Sequence, residues 1–175
     1  FEFTNTAHSD RPSVRYPNKF LLNRESIVHV GHMAEYRMLE PTSGVEMTCT
    51  GSSSEHSENY VCQRAVDNNY HTEWATKGEQ EGAWIRIDFD NGDEKIDRMV
   101  YSNRCSGVER NKVVQLDFSD GSSQNVTLSD HCSNVIVQLD PPVTTSSVKI
   151  TIMTTYETKT WANNGARTIG FIPVG

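Results

Sequence analysis

The chain has 175 residues, with 23 Asp and Glu against 16 Lys and Arg and a formal net charge of −7. That balance argues against a nucleic-acid partner, whose binders cluster Lys and Arg over phosphates, and against an electrostatic grip on anionic lipid. Its longest apolar runs, IVHV and VIV, fall far short of the roughly 20 residues that cross a bilayer as a helix.

Residues 1–44 are polar and marked by proline (FEFTNTAHSDRPSVRYPNKFLLN), and they are expected to form an arm or an irregular packing layer. No basic head precedes an apolar stretch there, so no signal peptide is expected, and the start at Phe1 suits a processed or excised fragment. Within this region SIVHVGHMAEYRML reads either as one helix or as a strand followed by a short helix; Gly31 weakens the continuous helix.

From residue 45 onward the period is two, the mark of half-buried strands. In AWIRIDF (83–89), Ile85, Ile87 and Phe89 share one face opposite Arg86 and Asp88. The theme repeats in segments 95–102, 112–118, 134–139, 147–154 and 167–174. Asn91-Gly92, Asp120-Gly121, Pro141-Pro142 and Asn164-Gly165 separate them as turn signals. LDFSDGSSQNVTL reads as a hairpin about Asp120-Gly121, whose residues tolerate the positive φ of such turns. Seven or eight short strands without a good helix between them predict an all-β, antiparallel sandwich or jelly roll over 45–175.

Cys49, Cys62, Cys105 and Cys132 allow three pairings. Cys49–Cys62 and Cys105–Cys132 are favoured, because each pair flanks a plausible loop. No C-x-x-C spacing occurs, which removes the commonest zinc and thioredoxin-like readings. An even cysteine count together with the glycosylation sequon Asn125-Val126-Thr127 points to an oxidising, extracellular setting.

Catalysis finds no foothold. His29 and His32, spaced H-x-x-H, would fall on opposite faces of a strand, and neither H-E-x-x-H nor G-x-S-x-G occurs. A non-catalytic module is expected.

Several stretches together resemble the discoidin domain, also called the coagulation factor V/VIII C-type domain. They are Ala65-Val66-Asp67-Asn68-Asn69 with Thr72 and Trp74, Trp84-Ile85-Arg86-Ile87-Asp88, Leu116-Asp117-Phe118-Ser119-Asp120-Gly121, and Asn164-Gly165-Ala166-Arg167-Thr168-Ile169. The resemblance spans about 45–175 and implies an eight-stranded jelly-roll β-sandwich in which Trp74 and Trp84 plug the core. It also implies a structural cation site, usually calcium: Asp67 would supply a carboxylate, Asn69 a backbone carbonyl, and Thr72 its carbonyl or hydroxyl. Such closely spaced hard oxygens suit Ca²⁺. Two positions depart from the pattern. Asn68 replaces a glycine, which its tolerance of left-handed backbone allows, and Thr168 replaces a glutamate, removing one anionic ligand. Without an ion, Asp67 and Thr72 would tie the turn through side-chain-to-backbone bonds.

Ligand contacts are expected on loops 52–60, 76–82, 103–111 and 155–165, carried by the rigid sandwich. An aromatic face for a sugar's C–H groups and planar donors for its hydroxyls select His56, Tyr60, Arg104, Arg110, Trp161 and Asn163. The expected partner is therefore a cell-surface or matrix glycan or glycoprotein. Loops 52–60 and 76–82 carry Glu, Ser and Gln rather than apolar spikes, so membrane lipid is the weaker reading. Protein–protein adhesion, or service as the targeting appendage of a larger enzyme, are the alternatives.

Overall fold

The structure is a computed structural model, and it describes residues 44–105, 110–156 and 163–175. Apart from Gly44, the arm expected over 1–44, including the unresolved helix-or-strand reading, lies outside the described residues.

Among the described residues there are ten strands: β1 (Met47–Ser52), β2 (Trp74–Ala75), β3 (Trp84–Phe89), β4 (Glu94–Ser102), β5 (Asn111–Phe118), β6 (Ser123–Thr127), β7 (Val135–Thr145), β8 (Ser147–Thr155), β9 (Gly165–Ala166) and β10 (Thr168–Pro173). A five-stranded sheet runs β1-β3-β8-β5-β6 and faces a three-stranded sheet, β10-β4-β7. The two-residue strands β2 and β9 form a small ribbon of their own, and every strand pairing is antiparallel. The jelly-roll sandwich expected from the two-residue period is thus observed, with eight long strands and the extra ribbon. Single 3₁₀ turns at Glu58–Tyr60 and Cys62–Ala65 join β1 to the ribbon.

Alternation places Ile85, Ile87 and Phe89 of β3, Val114, Leu116 and Phe118 of β5, and Val148, Ile150 and Ile152 of β8 in the core. Opposite them stand Ile96, Met99 and Tyr101 of β4, Leu139 and Val143 of β7, and Ile169 and Phe171 of β10. The rings of Phe89 and Phe171 meet across the gap, 5.4 Å between centroids. Burying each such aliphatic or aromatic side chain is worth about 1.5–3 kcal/mol, which makes this layer the main source of stability. Ile96 and Met99 are three residues apart and would fall on opposite faces of a regular strand. A register shift between Ile96 and Arg98 returns both to the core.

Gly92 and Gly121 have φ of +80° and +87°, so the turns after β3 and β5 are built as Asn91-Gly92 and Asp120-Gly121 predicted. The other two turn signals read differently. Pro141 and Pro142 lie inside β7, in a segment that bulges between the pairs Ile96↔Val143 and Arg98↔Gln138, and the chain reverses at Ser146 instead. Proline is tolerated there because the bulged residues make no ladder bonds.

Asn164-Gly165 is likewise not a turn but the entry to β9. A Cβ on Gly165 would lie 1.9 Å from the Trp74 carbonyl oxygen, so only glycine allows β9 to close on β2. Trp74 is buried as expected, its indole N–H donating to Ser54 O at 3.1 Å. Trp84 is not core: it stands half-buried on the outer face of the five-stranded sheet, one residue out of phase with Ile85.

Two measurements test this architecture. Gly165→Ala should lower stability by at least about 1–3 kcal/mol through backbone overpacking. Gly170→Ala, whose added Cβ would meet Val100 at an ordinary 3.6 Å, should change little in the same denaturant titration. Tyr101 is buried, and desolvation raises its phenol above the ordinary value, opposed in part by the Asn111 hydrogen bond. A raised folded-state value contributes stability that is complete below the unfolded value of about 10 and is lost as pH rises beyond it. Stability measured between pH 9 and 11 should therefore fall more steeply in the wild type than in Tyr101→Phe.

Candidate functional site

Antiparallel connectivity sends the β3–β4, β5–β6 and β7–β8 turns to one end of the sandwich. The β1–β2, β4–β5, β6–β7 and β8–β9 connections gather at the other. Two disulfides stiffen that second end: Cys49–Cys62 beside β1, and Cys105–Cys132 between the β4–β5 and β6–β7 connections. These are the pairings favoured from the flanking loops, and a link of this loop length contributes about 3 kcal/mol in the chain-entropy model.

Hydrogen bonds lace the loops together. His56 N donates to Ala75 O (2.8 Å), Thr76 N to Asn164 O (2.8 Å), and Asn164 N to Glu79 O (3.2 Å). Gly78 N donates to Asn163 Oδ1 (2.8 Å). Beneath them Asn103 closes the stem of the 103–111 loop. Its Oδ1 accepts from Asn111 N at 2.8 Å, and its Nδ2 donates to Asn111 O at 3.1 Å and to Ser129 O at 3.3 Å. Asn111 Nδ2 in turn donates to Tyr101 Oη (2.7 Å) and Gly165 O (2.9 Å). This wholly buried amide–phenol network fixes the backbone immediately before Arg104.

Arg104 is the hub of the loop end. Its Nε and Nη2 donate to Glu73 Oε1 at 3.0 and 2.8 Å, and Nη1 donates to Asn163 O at 2.6 Å. The two charged side chains are only 11% and 17% exposed, so the pair is held away from bulk solvent. The guanidinium carbon also lies 5.7 Å from the centroid of the Tyr60 ring, within cation–π range. Tyr60 meets His56 edge-to-face at 5.6 Å.

Four of the six residues selected for a sugar, His56, Tyr60, Arg104 and Asn163, therefore touch in a continuous chain. Arg110 does not join it; its Nε pairs with Asp130 Oδ1 at 2.5 Å. Trp161 lies outside the described residues. Glu73, the partner that orients Arg104, was not among the selected residues. Its only sequence signal is its position directly before Trp74, where β2 turns it toward the β4–β5 loop.

The 67–72 turn is an oxygen cluster. Asn68 adopts φ +58°, as its replacement of glycine requires. Thr72 Oγ1 lies 2.9 and 2.8 Å from the two Asp67 carboxylate oxygens, 2.8 Å from Asn69 O and 3.5 Å from Arg64 O. A hydroxyl has one proton and can satisfy only part of that set. Asp67, Asn69, Thr72 and the Arg64 carbonyl thus fit a hard cation with mixed oxygen ligands. Among the described residues no group of three or more His, Cys, Asp and Glu side chains could hold a metal, so carbonyl and hydroxyl oxygens would carry most of the coordination. Thr168 is buried with its Oγ1 unpartnered and brings no charge. Beside it Arg167 donates from Nε and Nη2 to Tyr70 O, tying the turn to the start of the last strand.

Solved structures share this architecture. The family 32 carbohydrate-binding module of Clostridium perfringens NanJ, solved with galactose, is 20% identical, with a TM-score of 0.59 over 72% of this chain and 93% of that one. The Clostridium perfringens module CpGH89CBM32-5, solved with GalNAc-β-1,3-galactose, is 17% identical, with a TM-score of 0.61 over 74% and 99%. A fucose-binding module of Streptococcus pneumoniae is 18% identical, with a TM-score of 0.60 over 77% and 100%. At such identities the likeness establishes the fold. No curated protein sequence matches the chain. The family model for the F5/8 type C domain matches residues 49–167. With that match covering more than half of its length, and the sandwich and loop end as described, the chain belongs to the F5/8 type C, or discoidin, domain family.

Proposed function

We propose that the chain is an extracellular, non-catalytic recognition module that binds glycans or glycoproteins through the loop end of its sandwich. The observation that carries this reading is the unbroken contact chain His56–Tyr60–Arg104–Asn163, held by Glu73. It offers aromatic surface beside a restrained planar cation and an amide, the combination that reads sugar rings and hydroxyls. The galactose and GalNAc-β-1,3-galactose bound by two structural relatives, and the fucose binding named for a third, support the class of ligand. The two disulfides support the extracellular setting.

Calcium belongs to the same reading. It would sit in the 67–72 turn on the oxygens of Asp67, Asn69, Thr72 and Arg64. There it would neutralise a crowded oxygen set and lock the turn; it would take no part in bond-making.

A glycan array and titration calorimetry with β-galactosides, GalNAc-terminated and fucosylated oligosaccharides test the ligand class. Tyr60→Ala and Arg104→Lys should each weaken binding tenfold or more, about 1.4 kcal/mol, because lysine lacks the planar fork that Glu73 and Asn163 orient. Absence of binding to any glycan by a folded domain, together with co-sedimentation on phosphatidylserine liposomes, would overturn the glycan reading. For the ion, the melting temperature should rise with calcium concentration and return with chelator. Asp67→Ala should abolish that response, and a wild-type melt indifferent to both additions would remove calcium from the reading.

A further inference from the structure

The outer face of the five-stranded sheet carries a second chemistry, remote in role from the loop end. Asn125 opens the only Asn-x-Thr sequon of the chain and lies on β6, the edge strand of that sheet. Both Asn125 and Thr127 are exposed, while Val126 between them is buried, so the acceptor side chains point outward. Register places Asn125 opposite Gln115, Gln115 opposite Thr151, and Thr151 opposite Trp84. One outward row therefore crosses four strands from the sequon to the half-buried tryptophan, a span of about 14 Å at ~4.8 Å per strand.

That row is bordered by apolar surface. Met153, 42% exposed, follows Thr151 by one same-face step, and Val113 pairs with Thr127. The Trp84 indole lies over Gly51, with ring atoms 3.5 Å from where a Cβ would sit, and the Lys149 ammonium stands 5.0 Å from its ring centre. A polar row of Gln and Thr flanked by Trp, Met and Val suits the two-sided character of a sugar chain. Hydroxyls meet the former and C–H faces the latter. Among the described residues β6 has no strand partner on its outer edge, and such an edge invites pairing with another copy unless something bulky protects it.

We propose that Asn125 is an N-glycosylation site whose first sugars lie along the Asn125–Gln115–Thr151–Trp84 row, covering Met153 and Val113 and guarding the β6 edge. In the modification, Asn125 Nδ2 attacks the anomeric carbon of a polyprenyl-diphosphate-linked oligosaccharide. The C–N bond forms as the bond from that carbon to the diphosphate oxygen breaks. The polyprenyl diphosphate leaves with the electron pair, an amide proton passes to a base of the transferase, and nothing is oxidised or reduced. Attachment to the extended, still unfolded segment needs no opening of β6, and the folded strand leaves the product in solvent.

The chain secreted from cultured eukaryotic cells tests both halves. Mass spectrometry of the peptide holding Asn125 should show an oligosaccharide that peptide-N-glycosidase removes, leaving Asp at 125, and Asn125→Gln or Thr127→Ala should abolish it. An unmodified Asn125 in protein with both disulfides formed would overturn the site. Peroxide oxidation of Met153 should be severalfold slower in the glycosylated protein than after enzymatic deglycosylation; equal rates would overturn the packing along the sheet. Asn125 takes no part in the loop-end contacts, so Asn125→Gln should leave glycan-array binding unchanged, which keeps this proposal separable from the one above.

Discussion

The loop end depends on one approach of two backbones. Gly165 closes on Trp74 to a distance that no side chain tolerates, and the residues around it are the anchor points of nearly every loop at that end. Asn163 receives Arg104 and Gly78, Asn164 receives Thr76 and reaches Glu79, and Gly165 receives Asn111. Arg167, two residues on, reaches Tyr70 and so the oxygen-rich turn. A displacement of β9 by even one ångström would loosen all of these together, because hydrogen bonds weaken steeply as distance and angle depart from their optimum. Strand β9 is only two residues long, yet it carries the order of the loop end.

That order has an energetic meaning for binding. A free arginine loses rotamer freedom when it engages a ligand, and immobilising such a side chain costs about 0.5–1.5 kcal/mol. Arg104 has already been immobilised by Glu73, Asn163 and Tyr60. Folding bears that entropy, with the amide network of Asn103 and Asn111 holding the stem beneath. The Arg104 cluster is therefore ordered before any partner arrives, whereas Arg110 pairs with Asp130 outside this group.

Legibility from sequence followed the range of the forces involved. Strand faces were readable because alternation is a local consequence of burial, and β3, β5 and β8 fell into phase with Ile85, Leu116 and Ile150 inward. The turns at Gly92 and Gly121 were readable because positive φ is a property of single residues. Pro141-Pro142 and Asn164-Gly165 misled for the complementary reason. A bulge in β7 and a close approach to Trp74 are imposed by partners tens of residues away, and both recruit the residue types that also make turns. Trp84 was read as core because the resemblance to the discoidin pattern implies a tryptophan plug there. Its place one step out of phase with Ile85 was the better signal. Of the loop residues, aromatic and planar character picked out His56, Tyr60, Arg104 and Asn163. Pairwise engagement, Glu73 for Arg104 and Asp130 for Arg110, arises only in three dimensions.

Thr168 brings no charge to the neighbourhood of the turn, and Arg167 beside it brings a positive one. The 67–72 turn gathers carbonyl, carboxylate and hydroxyl oxygens and so creates negative potential. Arg167 answers part of it from within the protein by donating two N–H groups to the Tyr70 carbonyl. A fixed guanidinium beside the turn and a single carboxylate within it both lower the attraction for an added cation, since affinity in such sites tracks ligand charge. At the same time the guanidinium bonds draw the turn against the start of β10, which is the mechanical service a bound ion would render. Asp67 and Thr72 complete the turn's internal ties. The turn is thus tied by atoms of the chain itself, through Asp67, Thr72 and Arg167.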